Sequence, residues 1–264
     1  MQLSKSSRIA LRASTYVTLG ILYVPLVLVF ILSFNSERSL SWPPAALSTH
    51  WWSTFLDVDS ARAALFSSTR IALVAMFIAV LLGTMLSFAL HRFEFFGKNV
   101  VSFLAVLPIA LPGIVTGVAL RNTFVRFGFD LGFASVVVGH TTFCIVVAFN
   151  NVIARLRRVA PNLREASADL GASEWQTLRF VTWPLIRSAV VAGGILAFAL
   201  SFDEVVVTTF TAGAGTQTLP QWILNNFSRP NVLPYVTVVA TIVLVVSLPL
   251  AWLAQRLSDS HIDA

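Results

Sequence analysis

Uncharged apolar runs of membrane-spanning length recur along this chain, separated by shorter polar segments. A helix needs about 20 mainly apolar residues to cross the hydrocarbon core of a bilayer. Between Arg12 and Glu37 there is no Asp, Glu, Lys or Arg, and residues 16–34 are almost wholly apolar. Further uncharged runs cover 71–90 and 99–120, and a fourth covers 131–154 with His140 inside it. A fifth starts near Leu185, with Arg187 at its inner end, and reaches about Phe210 across Asp203 and Glu204; a sixth covers 233–255. The pattern predicts an all-α integral membrane protein with six transmembrane helices in a single domain over 1–264. The expected spans are about 14–35, 64–90, 99–121, 133–154, 185–208 and 234–256, with a long loop at 155–184.

Composition agrees with lipid surroundings: 56% of residues are hydrophobic, 11% are charged and the mean hydropathy is +0.80. A soluble domain carries about 25% charged residues. The net charge of +6 does not point to nucleic acid, because Lys and Arg sit between apolar runs and not on one solvated face. Their distribution instead sets orientation. With the N-terminus in the cytoplasm, Lys5, Arg8, Arg12, Arg92, Lys98, Arg155, Arg157, Arg158, Arg164, Arg179, Arg187 and Arg256 lie inside, twelve of the eighteen Lys and Arg. Both termini are therefore expected to be cytoplasmic. The first run is read as a retained span, since it exceeds a signal-peptide h-region and no small-x-small cleavage pattern follows Phe34. In the outer segment 35–61, Trp51-Trp52 is expected along the membrane–water boundary. Cys144 is the sole cysteine, which excludes an intrachain disulfide, and it is read as a packing residue.

The loop 155–184 encodes two short helices. The first is expected to start at Pro161-Asn162 and to end at Gly171, a suitable C′ residue. Ser173, with Gln176 three residues on, predicts a capping box for the second, which runs towards Trp183 before Pro184 opens span five. The first helix carries Leu163, Ala166, Ser167 and Leu170 beside Glu165 and Asp169; the second carries Trp175, Leu178 and Phe180. Such an elbow suits docking of another protein; a simple surface loop is the alternative on these residues alone.

Glu165-Ala166-Ser167, three residues, Gly171, nine residues and then Val181-Thr182-Trp183-Pro184 resembles the EAA loop of permease subunits in ATP-binding-cassette (ABC) importers. The family pattern has a second Ala where Ser167 stands, Ile at Val181 and Leu at Trp183. Residues 95–99, 107–117 and 197–210, with Gly139-His140 and 149–155, are similar to the second permease of putrescine/spermidine importers. The resemblance implies a type I importer permease (MetI-like) fold in a bacterial inner membrane. It implies partners: a second permease in a heterodimer, two copies of an ATPase subunit that hold ATP and Mg, and an extracytoplasmic binding protein. It also implies that the chain has no catalytic residue, metal or cofactor of its own. The loop's first helix, with Glu165, Ala166, Ser167, Asp169, Leu170 and Gly171, would be the ATPase-coupling element. A polyamine is the implied cargo; 2-aminoethylphosphonate, an opine or another small solute is the alternative within the family.

Ionisable groups within a span default to functional candidates. Asp203-Glu204 is expected near the outer surface, either meeting a cationic substrate or serving as a cap or ion-pair partner. His140, Asn150 and Asn151 are candidates for the pathway or for hydrogen bonds between helices. Pro108, Pro112, Gly113 and Gly117 are expected to break span three, around a pathway or in kinked packing. No Gly-x-x-x-x-Gly-Lys-Ser/Thr or His-Glu-x-x-His occurs, so neither a P-loop ATPase nor a zincin is encoded. A secondary transporter is the remaining rival, and no inverted repeat supports it.

Overall fold

The computed structural model describes residues 4–160 and 162–259; Pro161, expected to open the first loop helix, lies outside them. The helices are α1 (Lys5–Leu32), α2 (His50–Thr54), α3 (Asp59–Arg92), α4 (Lys98–Ala110), α5 (Gly113–Arg126) and α6 (Phe133–Leu156). They continue as α7 (Asn162–Asp169), α8 (Glu174–Thr177), α9 (Trp183–Phe202), α10 (Val206–Thr211), α11 (Leu219–Asn226) and α12 (Leu233–Asp259). Helices α1, α3, α6, α9 and α12 are each long and apolar enough to cross a membrane.

Two expected spans are not continuous helices. The third is the pair α4 and α5, bent by 106°. Leu111 precedes Pro112, and the proline ring disfavours helical backbone at the residue before it; Leu111 is extended, with φ −83° and ψ 140°. Pro112 then stands as the N-cap of α5. The fifth was expected to run to residue 208, yet α9 stops at Phe202 and α10 begins anew at Val206.

Two compact units are distinguishable. One takes the chain up to Asp59 together with Ile223–Val245. None of the most apolar window of α1 is buried within the chain, so that helix presents its surface to lipid or to another subunit. Trp51, expected along the membrane–water boundary, packs within this unit. It is buried, donates from its indole N–H to the Asn35 carbonyl at 2.9 Å and meets the Tyr235 ring edge-on at 5.3 Å. Its polar tip finds a backbone partner, which is what allows a tryptophan to be buried. Trp52 stacks on Phe34 at 5.2 Å.

The other unit, Ser60–Trp222 with the chain from Val246 onwards, is built around α6. Two-thirds of its apolar window is buried, the largest share among the spans. Between membrane helices close packing matters more than hydrophobicity, so small residues line the contacts. On α3 the buried positions Ala72, Ala75, Ala79, Gly83 and Ser87 recur every three or four residues. A Cβ on Gly83 would stand 2.9 Å from both the Ala148 Cβ and the Phe149 nitrogen of α6. Gly193 of α9 approaches α6 from elsewhere, its Cβ position 3.2 Å from the Ala148 Cα. The Ser87 hydroxyl bridges the Gly83 and Phe149 carbonyls at 2.7 and 3.1 Å.

Gly83→Val should therefore force α3 from α6 and destabilise the protein by about 1–3 kcal/mol. Gly20→Ala, where nothing lies within 4 Å, should leave stability unchanged or slightly raised. Thermal unfolding of the two variants in detergent checks the contrast.

Candidate functional site

The loop between α6 and α9 is a braced helical elbow. Gly171 takes φ +79°, a backbone region open to glycine. The Gly171 N–H donates to the Ala168 carbonyl at 2.9 Å and the Ala172 N–H to the Ser167 carbonyl at 3.1 Å, the Schellman pattern that closes a helix C-terminus. Two residues on, the Ser173 hydroxyl accepts from the Gln176 N–H at 3.4 Å, while the Gln176 Oε1 accepts from the Ser173 N–H at 2.7 Å. Such a reciprocal cap contributes about 1 kcal/mol. A wide π-helical turn over Leu178–Thr182 carries α8 into α9, with Pro184 in the first turn of α9.

Side chains lock the elbow angle. The buried hydroxyls of Ser167 on α7 and Thr177 on α8 lie 2.9 Å apart. Glu174 accepts from Arg164 at 2.8 Å and pairs with Arg92, which ends α3. The hydrogen bond from Arg164, then that from Arg92, holds the Glu174 carboxyl below the usual carboxylate range. Exposed ion pairs contribute at most about 1 kcal/mol, so the caps and the buried hydroxyl pair are the stronger brace. Ser167 thus points inwards, whereas Glu165, Ala166, Asp169, Leu170 and Gly171 are exposed. Leu170 is 88% exposed, Trp175 67% and Phe180 68%, a concentration of large apolar side chains that none of the described residues covers.

The second region is the break after α9. Asp203 and Glu204 are adjacent in sequence but do different things. The Glu204 Oε1 accepts from the Val207 N–H at 2.8 Å and its carbonyl accepts from the Thr208 hydroxyl at 2.9 Å, so Glu204 starts α10. Asp203 is exposed, and among the described residues its carboxylate has no hydrogen-bond or ion-pair partner. His140 is fully buried beside this break. Its Nδ1 lies 2.8 Å from the Ser201 hydroxyl on α9 and its Nε2 2.8 Å from the Thr208 hydroxyl on α10. Because the Thr208 proton goes to the Glu204 carbonyl, Nε2 donates to Thr208 and the neutral ring accepts from Ser201 at Nδ1. Both ring nitrogens are engaged, leaving none to meet a solute. Nothing in the sequence names Ser201 and Thr208 as its partners, because the pairing depends on where α9 stops. Pro112 sits at the bend before α5, whose Gly113 and Gly117 admit Val206 and Phe210 of α10; a Cβ on Gly117 would come within 2.6 Å of the Phe210 ring.

Asn150 and Asn151 are brought together with other residues. They line a cleft of about 200 Å³ with Ala154, Arg155, Arg158, Ser188 and Ala189, where the end of α6 meets the start of α9. Asn151 donates to the Val147 carbonyl at 2.9 Å and the Arg155 Nε to the Leu185 carbonyl at 2.9 Å. Asp203 lies fourteen residues beyond Ala189, about 21 Å along the helix axis. The sequence reading missed this cleft; the spacing of Asn151 and Arg155 on one face of α6 is the signal that could have found it.

Residues 75–260 match the family described as "Binding-protein-dependent transport system inner membrane component". The spermidine/putrescine transport system permease protein PotC of Haemophilus influenzae is 36% identical over 257 residues, 97% of this chain and 99% of that relative. The putrescine transport system permease protein PotI of Escherichia coli K12 is 33% identical over 231 residues, 84% of this chain and 81% of that relative. A bacterial alginate ABC transporter, solved with an alginate pentasaccharide-bound periplasmic protein, has a chain of the same fold. Its TM-score is 0.68 at 12% identity, covering 96% of each chain.

If Glu204 acts through its cap, Glu204→Gln keeps the accepting oxygen and stability stays within about 0.5 kcal/mol. Glu204→Ala loses about 0.5–2 kcal/mol. Thermal unfolding of both variants checks this, and equal losses would show that charge and not capping matters.

Proposed function

The chain belongs to the family of binding-protein-dependent transport system inner membrane components, and on that premise we propose that it forms half of the pathway of an importer for a polyamine such as putrescine or spermidine. It is a multi-pass permease subunit of an ABC importer in the inner membrane, with the type I, MetI-like fold. It is not an enzyme: permeases of this kind carry no cofactor, and ATP with Mg belongs to the partner ATPase. The remaining assembly is our reading: a heterodimer with a second permease, two ATPase copies and an extracytoplasmic binding protein, with both termini of this chain cytoplasmic. Identity to polyamine permeases along nearly the whole chain supports the cargo.

The observation that carries the coupling role is the braced elbow with its uncovered apolar side chains. Helix α7 seats in a groove of the ATPase, with the small Ala166 allowing close approach and Glu165, Asp169 and Leu170 making the contact. A rigid elbow is what such a joint requires, since a soft one would absorb the ATPase motion instead of passing it to α6 and α9. Closure of the two ATPase copies then drives the permease pair from inward-open to outward-open. Gly171→Pro cannot adopt φ +79° and loses the N–H that closes α7, while Glu165→Arg reverses an exposed charge. Each should cut ATPase co-purification at least about tenfold, some 1.4 kcal/mol. An unchanged complex in both variants would overturn the docking role.

At the other end of α9 the unpartnered carboxylate of Asp203 is placed to meet a cation, with Glu204 committed to its cap. Asp203→Asn should lower putrescine and spermidine uptake by about tenfold, the loss of roughly one ion pair, with the assembled complex intact. Uptake assays in vesicles loaded with ATP check this. Transport of 2-aminoethylphosphonate in preference to either polyamine would overturn the cargo assignment.

A further inference from the structure

The cleft between the end of α6 and the start of α9 has the chemistry of an anion site, opposite in sign to the proposed cargo. Its polar lining consists of two guanidiniums, two carboxamides and a hydroxyl, from Arg155, Arg158, Asn150, Asn151 and Ser188, and no carboxylate is among the lining residues. Among the described residues neither Arg155 nor Arg158 has an acidic partner; the one acid bound in this loop, Glu174, is taken by Arg92 and Arg164. Arg155 is half-buried and held by its Nε–H to the Leu185 carbonyl at 2.9 Å, which fixes the guanidinium and leaves its terminal N–H groups free. Arg158 and Asn150 are exposed at the mouth. A guanidinium anchored in this way is suited to bidentate binding of phosphate oxygens.

We propose that this cleft binds the phosphate headgroup of an anionic phospholipid. Its depth supports a lipid. Arg155 follows directly on the apolar run of α6, and Ser188 lies one turn into α9, so the cleft opens where hydrocarbon gives way to headgroups. Basic pockets between membrane helices at that level recognise anionic headgroups. The cleft's volume of about 200 Å³ gives room for a phosphodiester. The proposal does not rest on the polyamine reading: the cleft would bind the same headgroup whatever the cargo.

Native mass spectrometry of the assembled importer in detergent tests it, with phosphatidylglycerol, phosphatidylcholine or inorganic phosphate added. Wild type should retain phosphatidylglycerol at least about fivefold more tightly than phosphatidylcholine. That preference should vanish in Arg158→Gln and in Asn150→Ala/Arg158→Gln, and persist in Arg158→Lys. Arg158 is exposed, so assembly should be unaffected, and Arg158→Lys serves as the folded control. Equal retention of the two lipids, or a preference indifferent to Arg158, overturns the proposal. Displacement of the lipid by millimolar inorganic phosphate, with phosphate binding lost in Arg158→Gln, would assign the cleft to a free anion and overturn the lipid source. Absence of any lipid from the cleft in the assembled importer, with Arg158 paired to the second permease, overturns it as well.

Discussion

A helix interrupted in apolar surroundings must replace the backbone hydrogen bonds it gives up, because lipid offers none. The interruption of α9 at Asp203–Val205 meets this constraint with side chains. The Glu204 carboxylate takes the Val207 N–H, the Thr208 hydroxyl takes the Glu204 carbonyl, and the Ser135 hydroxyl donates to the Thr211 carbonyl at 2.8 Å. His140 then ties Thr208 to Ser201 across the gap, so both sides of the break are fixed to α6. His140, Ser201, Glu204 and Thr208 thus gather where backbone groups are freed. Asp203 closes α9 through its N–H to the Ala199 carbonyl at 3.2 Å, and its carboxylate is left exposed at the break.

The same central helix sets the geometry at the other end. Helix α6 is approached closely by α3 at Gly83 and by α9 at Gly193, and at Gly83 a Cβ would force something to shift. A buried cluster of Val152, Leu156, Ile186 and Val190 continues the α6–α9 contact down to the loop. The elbow of α7 and α8 is therefore attached at both ends to packed helices, and to the end of α3 through Arg92 and Glu174. On the proposed coupling role, a push on α7 would reach these helices through that bracing.

Hydropathy made the spans legible because lipid demands long apolar runs, and the elbow was legible because glycine and capping residues act locally: Gly171, Ser173 and Gln176 sit where their backbone chemistry requires. Of the two breaks, the one at Pro112 was legible from the proline itself, whereas hydropathy hid both. A hydropathy window across residues 99–121 averages over Leu111, whose extended backbone comes from the ring of Pro112 and not from any polar residue. Likewise Asp203 and Glu204 read as a pair, since sequence adjacency says nothing about which carboxylate turns back to cap α10. The internal packing of Trp51 was not visible either. A tryptophan pair carries an interfacial statistic, but the Asn35 carbonyl that satisfies its indole lies sixteen residues earlier across a turn.

Charge in the elbow is arranged so that most of it remains available. Glu174 gathers two arginines, while Glu165 and Asp169 on α7 stay exposed and unpaired among the described residues. Arg155 and Arg158, in the same loop region, also find no acid. Pairing these groups internally would contribute at most about 1 kcal/mol each, less than the caps and the buried Ser167–Thr177 contact already supply. The elbow can therefore hold its shape with both signs of charge left uncommitted and kept on different surfaces: acids on α7, guanidiniums in the cleft where α6 meets α9. On the proposed docking and lipid roles, that separation would let one short loop address a protein groove and a headgroup layer without either set of charges neutralising the other.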